Sequence, residues 1–457
     1  MTSAAAQTKE DENYLKAVRE QYENYPYPHA DPEDERRFFR MPYTESLERL
    51  NHHCYSGRKN FHKEFHALVA GGGTGDAVIA LAEQLRGTGN EVTYIDMSEA
   101  SMKVAQARAE VRGLTNIRWI RDSLLNIPEL DLGKFDYINS SGVLHHLANP
   151  DLGLKTLTDA LKDDGAMGIM VYAKYGRMAI YMMQEILRMI NRNEPNLQKQ
   201  IDNAKVILGN LPLTNWLFNS SEMILNEIRS GQDVGIYDML LHTQDRAYSI
   251  PELYEYVEKA GLNFLQFFSD HQSIGHQIYN PAFYIRDERL VKIVGSKSLK
   301  QQRALAELLH GKIEKHTFYA AKHYPEPPSA DDLDMIPVVS FNIAADYSEI
   351  TQKLDSKERV IELYHQSTHT KVLLPNGPQL AAIFAQADGR KTLREIYQTV
   401  IDSSKDNATT TQTLATQFKP FYEAMHRAGW LYLRHPSSSP MITHGQIQAH
   451  IKSKGNA

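Results

Sequence analysis

The sequence predicts an α/β fold, a doubly wound and mostly parallel sheet, followed by a smaller α+β domain. Two observations predict the sheet: short apolar runs alternate with helical segments between residues 66 and 172, and a glycine-rich loop follows the first run. A third observation, three helical segments followed by a strand near the carboxyl terminus, predicts the smaller domain. Ligands of such a sheet bind beyond the carboxyl ends of its strands, so we expect a site there.

The bulk properties exclude several classes of protein. A chain of 457 residues suggests two or three domains. The net charge of −6 gives no electrostatic footprint for nucleic acid, and the single cysteine, Cys54, excludes an internal disulfide. No apolar run reaches the roughly 18 residues that span a bilayer, and residues 1–11 lack the apolar stretch of a signal peptide. We therefore expect a cytoplasmic protein without a membrane partner.

The first element is a stiff aromatic segment, Gln21–Pro28. A helix over residues 14–22 is expected to lead into it, and two prolines in three residues favour extended geometry. Tyr22, Tyr25 and Tyr27 are thereby held along one segment. We favour a packed N-terminal strap, and the alternative is a lid whose rings cover a cationic ligand.

A group of potential metal ligands precedes the first strand. It contains His52, His53, Cys54, His62 and His66. Their spacing matches no zinc template, and His66 lies at the start of a strand rather than on a ligand loop. We therefore predict no metal site.

The glycine loop, Gly71–Gly75, follows the apolar run that ends at Ala70. Without Cβ atoms, Gly71, Gly73 and Gly75 can adopt positive φ and bring main-chain N–H groups close to a ligand. Ala77–Arg86 is expected to form a helix that packs an apolar face on the sheet.

The later elements are predicted from the same alternation. Asp96 and Asp122 follow the second and third strands, and a helical insertion is expected at about residues 175–245. A turn is expected at Asp163–Gly165. The further predicted strands are Glu91–Ile95, Ile117–Ile120, Phe135–Asn139, Ala166–Tyr172 and Asn263–Phe268, and the C-terminal helices are Ala381–Ala387, Thr392–Val400 and Phe418–Arg427, before a strand at Trp430–Leu433.

The predicted domains follow from these elements. They are a helical and Tyr-Pro segment over residues 1–50, the sheet domain over 51–290, a helix and linker over 291–330, a winged-helix-like domain over 331–435 and a disordered tail over 436–457.

Two kinds of nucleotide compete for the glycine loop. A dinucleotide site has the spacing G-x-G-x-x-G with an acid about 20 residues later, and Asp96 satisfies only the second requirement. Asp96 can instead accept from ribose hydroxyls, and Asp122 can accept from an adenine amine. This combination describes adenosine without a pyrophosphate, although a dinucleotide remains the alternative.

Four segments together resemble the ordered motifs of class I S-adenosylmethionine-dependent methyltransferases. They are Val69–Asp76 (VAGGGTGD), Tyr94–Ser98 (YIDMS), Arg121–Leu124 (RDSL) and Phe135–Leu147 (FDYINSSGVLHHL). The resemblance spans residues 65–172 and implies a Rossmann-like seven-stranded sheet with S-adenosylmethionine as cofactor. The residues expected at the cofactor are Ala70, Gly71, Gly73, Gly75, Asp96, Met97, Asp122, Ser123, Asn139, Tyr22 and Tyr27.

Narrower resemblances add architecture. Gln21–Pro28 and Asp238–Pro251 are similar to segments that flank the methyltransferase domain of bacterial tetratricopeptide-repeat-associated methyltransferases, although no repeat of that period occurs here. Leu380–Leu433 loosely resembles the regulatory domain of some protein lysine methyltransferases.

A proton acceptor is needed only if the methyl acceptor is protonated at neutral pH. The candidate catalytic residues are Asn139, His145, His146 and His242, with the alternative that His145 and His146 only form a packed turn. We predict methyl transfer to a protein, peptide or small molecule, and a nucleic-acid amine is disfavoured because residues 139–142 read Asn-Ser-Ser-Gly rather than Asn-Pro-Pro-Tyr. The alternatives are an NAD(P)-dependent oxidoreductase and a cofactor-binding regulatory protein without catalysis.

Overall fold

The computed structural model describes residues 23, 26–220, 222–242, 245–268, 275–340, 347–356, 358–365, 370–440, 442, 446–447 and 451. The helix predicted over residues 14–22, and with it Tyr22, lies outside the described residues. Among the described helices none is both long enough and apolar enough to cross a membrane.

A seven-stranded sheet forms the centre of the fold, with the spatial order β3-β2-β1-β4-β5-β7-β6. Its strands are β1 (Ala67–Ala70), β2 (Val92–Asp96), β3 (Ile117–Arg121), β4 (Phe135–Ser141), β5 (Leu161–Tyr172), β6 (Asn263–Phe268) and β7 (Lys315–Ala321). The first five pair in parallel, and β7 pairs antiparallel with β5 and β6. This is a Rossmann order with one antiparallel strand inserted near its edge, which confirms the predicted mostly parallel seven-stranded sheet.

Helices cover both faces of the sheet. Those of the sheet region are α1 (Leu47–Cys54), α2 (Asp76–Gln84), α3 (Glu99–Arg112), α4 (Pro150–Ala160), α5 (Met178–Ile190), α6 (Leu197–Gly209), α7 (Glu222–Ser230), α8 (Asp233–Ile236), α9 (Ile250–Lys259), α10 (Glu288–Gly295) and α11 (Leu299–His310). Alternate residues of the strands enter separate cores: Leu68 and Ile138 face one, and Val69 and Tyr137 face the other. Burial on both faces is why these strands read as continuous apolar runs.

Two details near β5 and β7 differ from the sequence prediction. The turn expected at Asp163–Gly165 is part of β5, where the pairing register with β4 shifts between Phe135 and Tyr137. Gly165 permits this because a Cβ there would lie 2.9 Å from the main-chain oxygen of Asp136. In addition, β7 lies within the stretch predicted as helix and linker, and it adds a strand to the sheet beyond residue 290.

The C-terminal part has its own apolar core. Its elements are β8 (Ile336–Val339), α12 (Tyr347–Leu354), β9 (Val360–His365), β10 (Thr370–Pro375), α13 (Leu380–Phe384), α14 (Leu393–Ser403), α15 (Thr411–Arg427) and β11 (Leu431–Arg434). The three expected helices and the final strand are present, while the β9–β10 hairpin and the pairing of β11 with β8 were not predicted. The winged-helix comparison itself stays a prediction.

The predicted disordered tail contains two buried side chains. Ile447 and Ile451 pack in the core on one face of the sheet. They stand four residues apart, the spacing at which two side chains share one face of a helix, and tail composition alone does not reveal this.

Candidate functional site

The glycine loop has the backbone that its sequence predicts. Gly71, Gly73 and Gly75 have φ angles of 77°, 49° and 108°, and α2 begins directly after them. A Cβ on Gly71 would lie 2.4 Å from the Val143 side chain, and one on Gly72 would lie 2.2 Å from the Tyr94 ring. The loop therefore requires glycine both for its conformation and for its packing.

Asp96, at the end of β2, is tied to this loop. Its Oδ2 accepts a hydrogen bond from the Gly73 N–H at 2.8 Å, and its Oδ1 accepts one from the Ser98 N–H at 2.8 Å. Burial raises the pKa of the Asp96 carboxyl group despite these bonds. Each carboxylate oxygen has a second lone pair, so Asp96 can still accept from the hydroxyls of a ribose.

The other predicted cofactor residues lie at the same edge. Asp122 follows β3, and its main-chain N–H donates to the Asp96 carbonyl at 3.1 Å. Its Oδ1 accepts from the Ser123 N–H and from the Asn126 amide, each at 2.7 Å. Ala70 ends β1, and Met97 follows Asp96 directly. The two acids thus stand at the ends of neighbouring strands, the arrangement expected for ribose and adenine.

The Tyr-Pro segment lies across the glycine loop. The Thr74 hydroxyl donates to the Pro28 carbonyl at 2.7 Å, and a Cβ on Gly73 would lie 3.0 Å from the Tyr27 carbonyl oxygen. The Glu23 carboxylate accepts from the N–H groups of Glu99 and Ala100, at 2.8 and 3.0 Å. These contacts are those of a packed strap.

A buried arginine fastens the strap to the loop. The Arg108 guanidinium is 2.7 Å from both Glu35 and Asp76, and it donates to the Thr74 carbonyl at 2.8 Å. Glu35 belongs to a short 3₁₀ helix, Pro32–Arg36, that follows the strap. One side chain of α3 therefore joins the strap, the loop and the start of α2.

Replacing Arg108 with methionine is expected to lower the free energy of unfolding by about 1–3 kcal/mol, because the buried Glu35 carboxylate loses one of its two ionic partners and keeps Arg112. Urea denaturation at pH 7 measures this change. Arg36→Ala is the control, because its ion pair with Glu33 is largely exposed and its loss should change stability little. Equal effects of the two substitutions would contradict the anchoring role of Arg108.

Asn139, predicted at both the cofactor and the reacting groups, is buried at the end of β4. Its amide donates to the Glu45 carboxylate and, at 3.1 Å, to the Ser141 hydroxyl. Burial raises the pKa of Glu45 to about 7. No sequence pattern connects Glu45 with Asn139, because the two residues are 94 positions apart. The Asn139 amide is thus already occupied by protein groups.

The three candidate histidines come together beyond the end of β4. His145 and His146 form a short turn after the strand, and the His146 ring stacks on His242 with ring centroids 4.0 Å apart. The His145 ring lies 3.9 Å from the ring of Tyr172, at the end of β5. His145 and His146 therefore lie on a turn that contacts both the end of β5 and the helical insertion.

Charged residues outside the predicted site surround these histidines. The Arg177 guanidinium lies 3.5 Å from the centroid of the Tyr172 ring and 3.6 Å from the Asp245 carboxylate. Burial, and then nearby Arg177, hold the pKa of His145 well below its usual range. We call Tyr27, His145, Tyr172, Arg177, Asp238 and His242 the acceptor cluster.

Asp238 is the most distinctive member of the acceptor cluster. It lies on a π-helical turn, Tyr237–Leu241, and burial raises its pKa to about 7. Its Oδ1 is buried and has no hydrogen-bond partner among the described residues. Its charge also contributes to raising the pKa of Tyr27, after burial, so it faces the strap. A carboxylate directly before Met-Leu-Leu was the available sequence signal.

A polar depression of about 440 Å³ lies elsewhere, lined by His66, Asn90 and Arg118 among others. These residues stand before or early in β1, β2 and β3, at the edge opposite the glycine loop. Ligands of doubly wound sheets bind at the carboxyl ends of strands, so this depression is not the candidate site.

Comparisons with known proteins agree with this geometry. Residues 68–167 match a family described as a methyltransferase domain. A ubiquinone biosynthesis O-methyltransferase of Glaesserella parasuis is 31% identical over 134 residues, which cover 28% of this chain and 56% of that protein. An uncharacterized protein of Synechococcus sp. is 31% identical over 257 residues, 56% of this chain. The chain covers 60% of that relative, so the matches are partial in both directions.

The fold also matches over most of its length. The structure of PKMT2 from Rickettsia typhi in complex with AdoHcy has a TM-score of 0.56 and 13% sequence identity, and the match covers 86% of this chain and 76% of that one. At this identity the match concerns the fold. The match to the methyltransferase-domain family covers residues 68–167, and the strand order and the glycine loop around these residues agree with it.

Proposed function

We propose that this protein transfers the methyl group of S-adenosylmethionine to an acceptor held by the acceptor cluster. The observation that carries the proposal is the Gly71–Gly75 loop fastened to Asp96, within the residues that match the methyltransferase family. When bound, the cofactor supplies an electrophilic methyl group. The protein's own contribution is to bind, orient and exclude water.

The residues at the loop fit this cofactor. The positive φ angles of Gly71, Gly73 and Gly75 turn the loop tightly at the end of β1, and a Cβ on Gly71 or Gly75 would meet Val143 or Ala105. Asp96 would accept from the ribose hydroxyls, and Asp122, whose Oδ1 already accepts two bonds, would accept through Oδ2 from the adenine amine. Ala70, Met97 and Ser123 would line the same edge. Tyr27 would close it, because the strap already lies over Gly73.

Asp238 is the side chain best suited to take a proton from the acceptor. A group with a pKa of about 7 is divided between its two forms near neutral pH, which suits a general base. The depressed pKa of His145 makes that imidazole a weaker base, so we assign His145 and Tyr172 to shaping the pocket. His146 and His242, stacked on each other, would orient the acceptor beside Asp238.

The acceptor class is tested by labelling. The purified protein and methyl-labelled S-adenosylmethionine are added to a lysate, which is then divided and treated with protease or nuclease. We expect label on a protein, a peptide or a small molecule, so nuclease should release none of it. The control is a variant with Asp96 replaced by alanine. Label that appears equally with this variant, or no label at all, would contradict the proposed activity.

Asp238→Asn is expected to lower kcat/KM about 10²–10⁴-fold, the usual contribution of a general base. In the unmodified protein kcat/KM should rise about tenfold per pH unit below pH 7 and level off above it, since deprotonated Asp238 is the active form. The pH profile with the labelled acceptor measures both effects. His145→Gln is the control and should keep the inflection near pH 7; an inflection that persists in Asp238→Asn would exclude this role.

The raised pKa of Asp238 also predicts how the stability of the fold depends on pH, and testing this requires no methyl acceptor. The pKa of Asp238 in the folded state lies above its unfolded value of about 3.9. The contribution of Asp238 to stability is therefore fully present below about pH 3.9 and is lost as the pH rises through 7. Asp238→Asn should therefore gain stability relative to the unmodified protein between pH 4 and 8, by up to about 4 kcal/mol. Urea denaturation at both pH values measures the difference.

A further inference from the structure

Three histidines meet where the sheet region contacts the C-terminal core. His52 and His53 come from α1, and His426 comes from α15. Each histidine offers one ring nitrogen, and the three nitrogens all lie within 4.8 Å of one another. His52 and His53 stand close together in the sequence, whereas His426 follows 373 residues after His53. The fold therefore brings together three potential metal ligands that no local spacing reveals.

The three rings surround a common point rather than forming one stack. The ring centroids of His52 and His426 are 4.7 Å apart, and those of His53 and His426 are 5.5 Å apart. The rings of His52 and His53 are nearly perpendicular, at 86°. Imidazoles that are inclined to one another in this way can direct nitrogens toward one ion, whereas parallel stacked rings cannot.

Strand β11 holds the first of these rings in place. The Leu433 N–H donates to Nδ1 of His52 at 3.1 Å, and the Leu433 carbonyl oxygen lies 3.1 Å from the same nitrogen. Metal binding through Nε2 requires the tautomer with the proton on Nδ1, in which His52 gives up the bond from the Leu433 N–H and donates to the Leu433 carbonyl instead. A metal-binding histidine usually fixes its second nitrogen on a carbonyl or carboxylate in this manner.

The surroundings favour a neutral, protected site. The ring of His53 contacts those of Phe268 and Tyr319, and all three histidine rings lie within about 6 Å of the Tyr432 ring. The buried Arg49 guanidinium donates to the Tyr432 hydroxyl at 3.2 Å and places a positive charge nearby. We therefore expect weaker metal binding than at an anionic thiolate site.

We propose that His52, His53 and His426 bind one divalent transition-metal ion, with Zn²⁺ as the best match to three imidazoles. A Zn–N bond of about 2.0–2.1 Å places nitrogens roughly 3.4 Å apart in a tetrahedron, so the side chains draw together by about 1 Å on binding. Water completes the coordination. The ion fastens α15 to α1, and none of its ligands belongs to the glycine loop or the acceptor cluster. The bound ion therefore stabilises the fold and takes no part in methyl transfer.

Titration of the chelator-treated full-length protein with Co²⁺ and Zn²⁺ tests this site. We expect one equivalent to bind, Co²⁺ to give visible absorption of a tetrahedral site, and Zn²⁺ to raise the Tm. His53→Gln and His426→Gln should each weaken metal binding at least about tenfold, because even the loss of a residue that only supports a ligand costs that much affinity. The control is the pair His62→Gln and His66→Gln, on histidines outside the cluster, which should bind as the unmodified protein does.

X-ray absorption of the unmodified protein with one equivalent of Zn²⁺ gives a test that needs no variant. Three imidazole ligands are expected. Fewer imidazoles, no stoichiometric binding, or binding that His62→Gln and His66→Gln remove would overturn the proposal. Binding of S-adenosylhomocysteine to each variant reports whether it is folded, and it should be unchanged.

Discussion

Replacing Asp96 with alanine should abolish binding of S-adenosylmethionine and methyl transfer together. The substitution removes the acceptor for the Gly73 and Ser98 N–H groups as well as the proposed acceptor for the ribose. Hydrogen bonds to a charged group contribute about 1.5–3 kcal/mol each, so we expect affinity to fall at least about 100-fold. Calorimetric titration and the labelling assay measure the two effects on one preparation.

Two controls accompany this substitution. Asp96→Asn keeps one oxygen to accept a bond and should lose less affinity than the alanine variant. Asp159→Ala removes an exposed carboxylate that pairs with Lys155 and should bind normally. If Asp96→Ala bound the cofactor with unchanged affinity, the assignment of Asp96 would be wrong. If the unmodified protein bound the cofactor but transferred no methyl group to anything, the regulatory alternative would replace catalysis.

Gly71→Ala should destabilise the fold and weaken cofactor binding. The residue has a φ of 77°, which costs an L-residue about 1–2 kcal/mol, and the new Cβ would lie 2.4 Å from Val143. Overpacking of this kind costs about 1–3 kcal/mol more. We expect a total loss of roughly 2–5 kcal/mol in urea denaturation, and reduced affinity because the loop shifts away from Asp96.

Gly87 provides a matched control for this substitution. Its φ of 76° is nearly the same, but a Cβ there would meet nothing within 4 Å. Gly87→Ala should therefore show the cost of backbone strain alone and leave cofactor binding intact. Adding Val143→Ala to Gly71→Ala should restore part of the lost stability, because the two closest atoms are removed. Equal losses at Gly71 and Gly87 would show that packing of the loop is unimportant.

The parts of the fold that local patterns encode were predictable. Apolar runs gave the positions of β1 to β6 within a few residues, and the glycines with Asp96 indicated the loop and its carboxylate, because both lie in consecutive motifs. The bulge at Asp163–Gly165 was missed because the sequence Asp-Asp-Gly also suits a turn. Whether this segment forms a turn or a bulge depends on how β5 pairs with β4. Strand β7 was missed because its place in the sheet depends on β5 and β6.

The connections across the site could not be predicted because they join distant residues without periodicity. Arg108 meets Glu35 across 73 positions, and Asn139 meets Glu45 across 94. Neither pair has a sequence signature, because charged side chains are usually exposed and no local pattern marks those that are buried with a distant partner. The three candidate histidine bases were named from motifs alone, whereas burial in the structure singled out Asp238. Sequence therefore located the cofactor edge better than the acceptor side.

Calorimetric titration of the purified protein with S-adenosylhomocysteine and, separately, with NAD is the most direct test of the central claim. The glycine loop and Asp96 predict saturable binding of S-adenosylhomocysteine at one site per chain, lost in Asp96→Ala, and no saturable binding of NAD. Saturable binding of NAD without any binding of S-adenosylhomocysteine would contradict the account and favour a nicotinamide-dependent oxidoreductase.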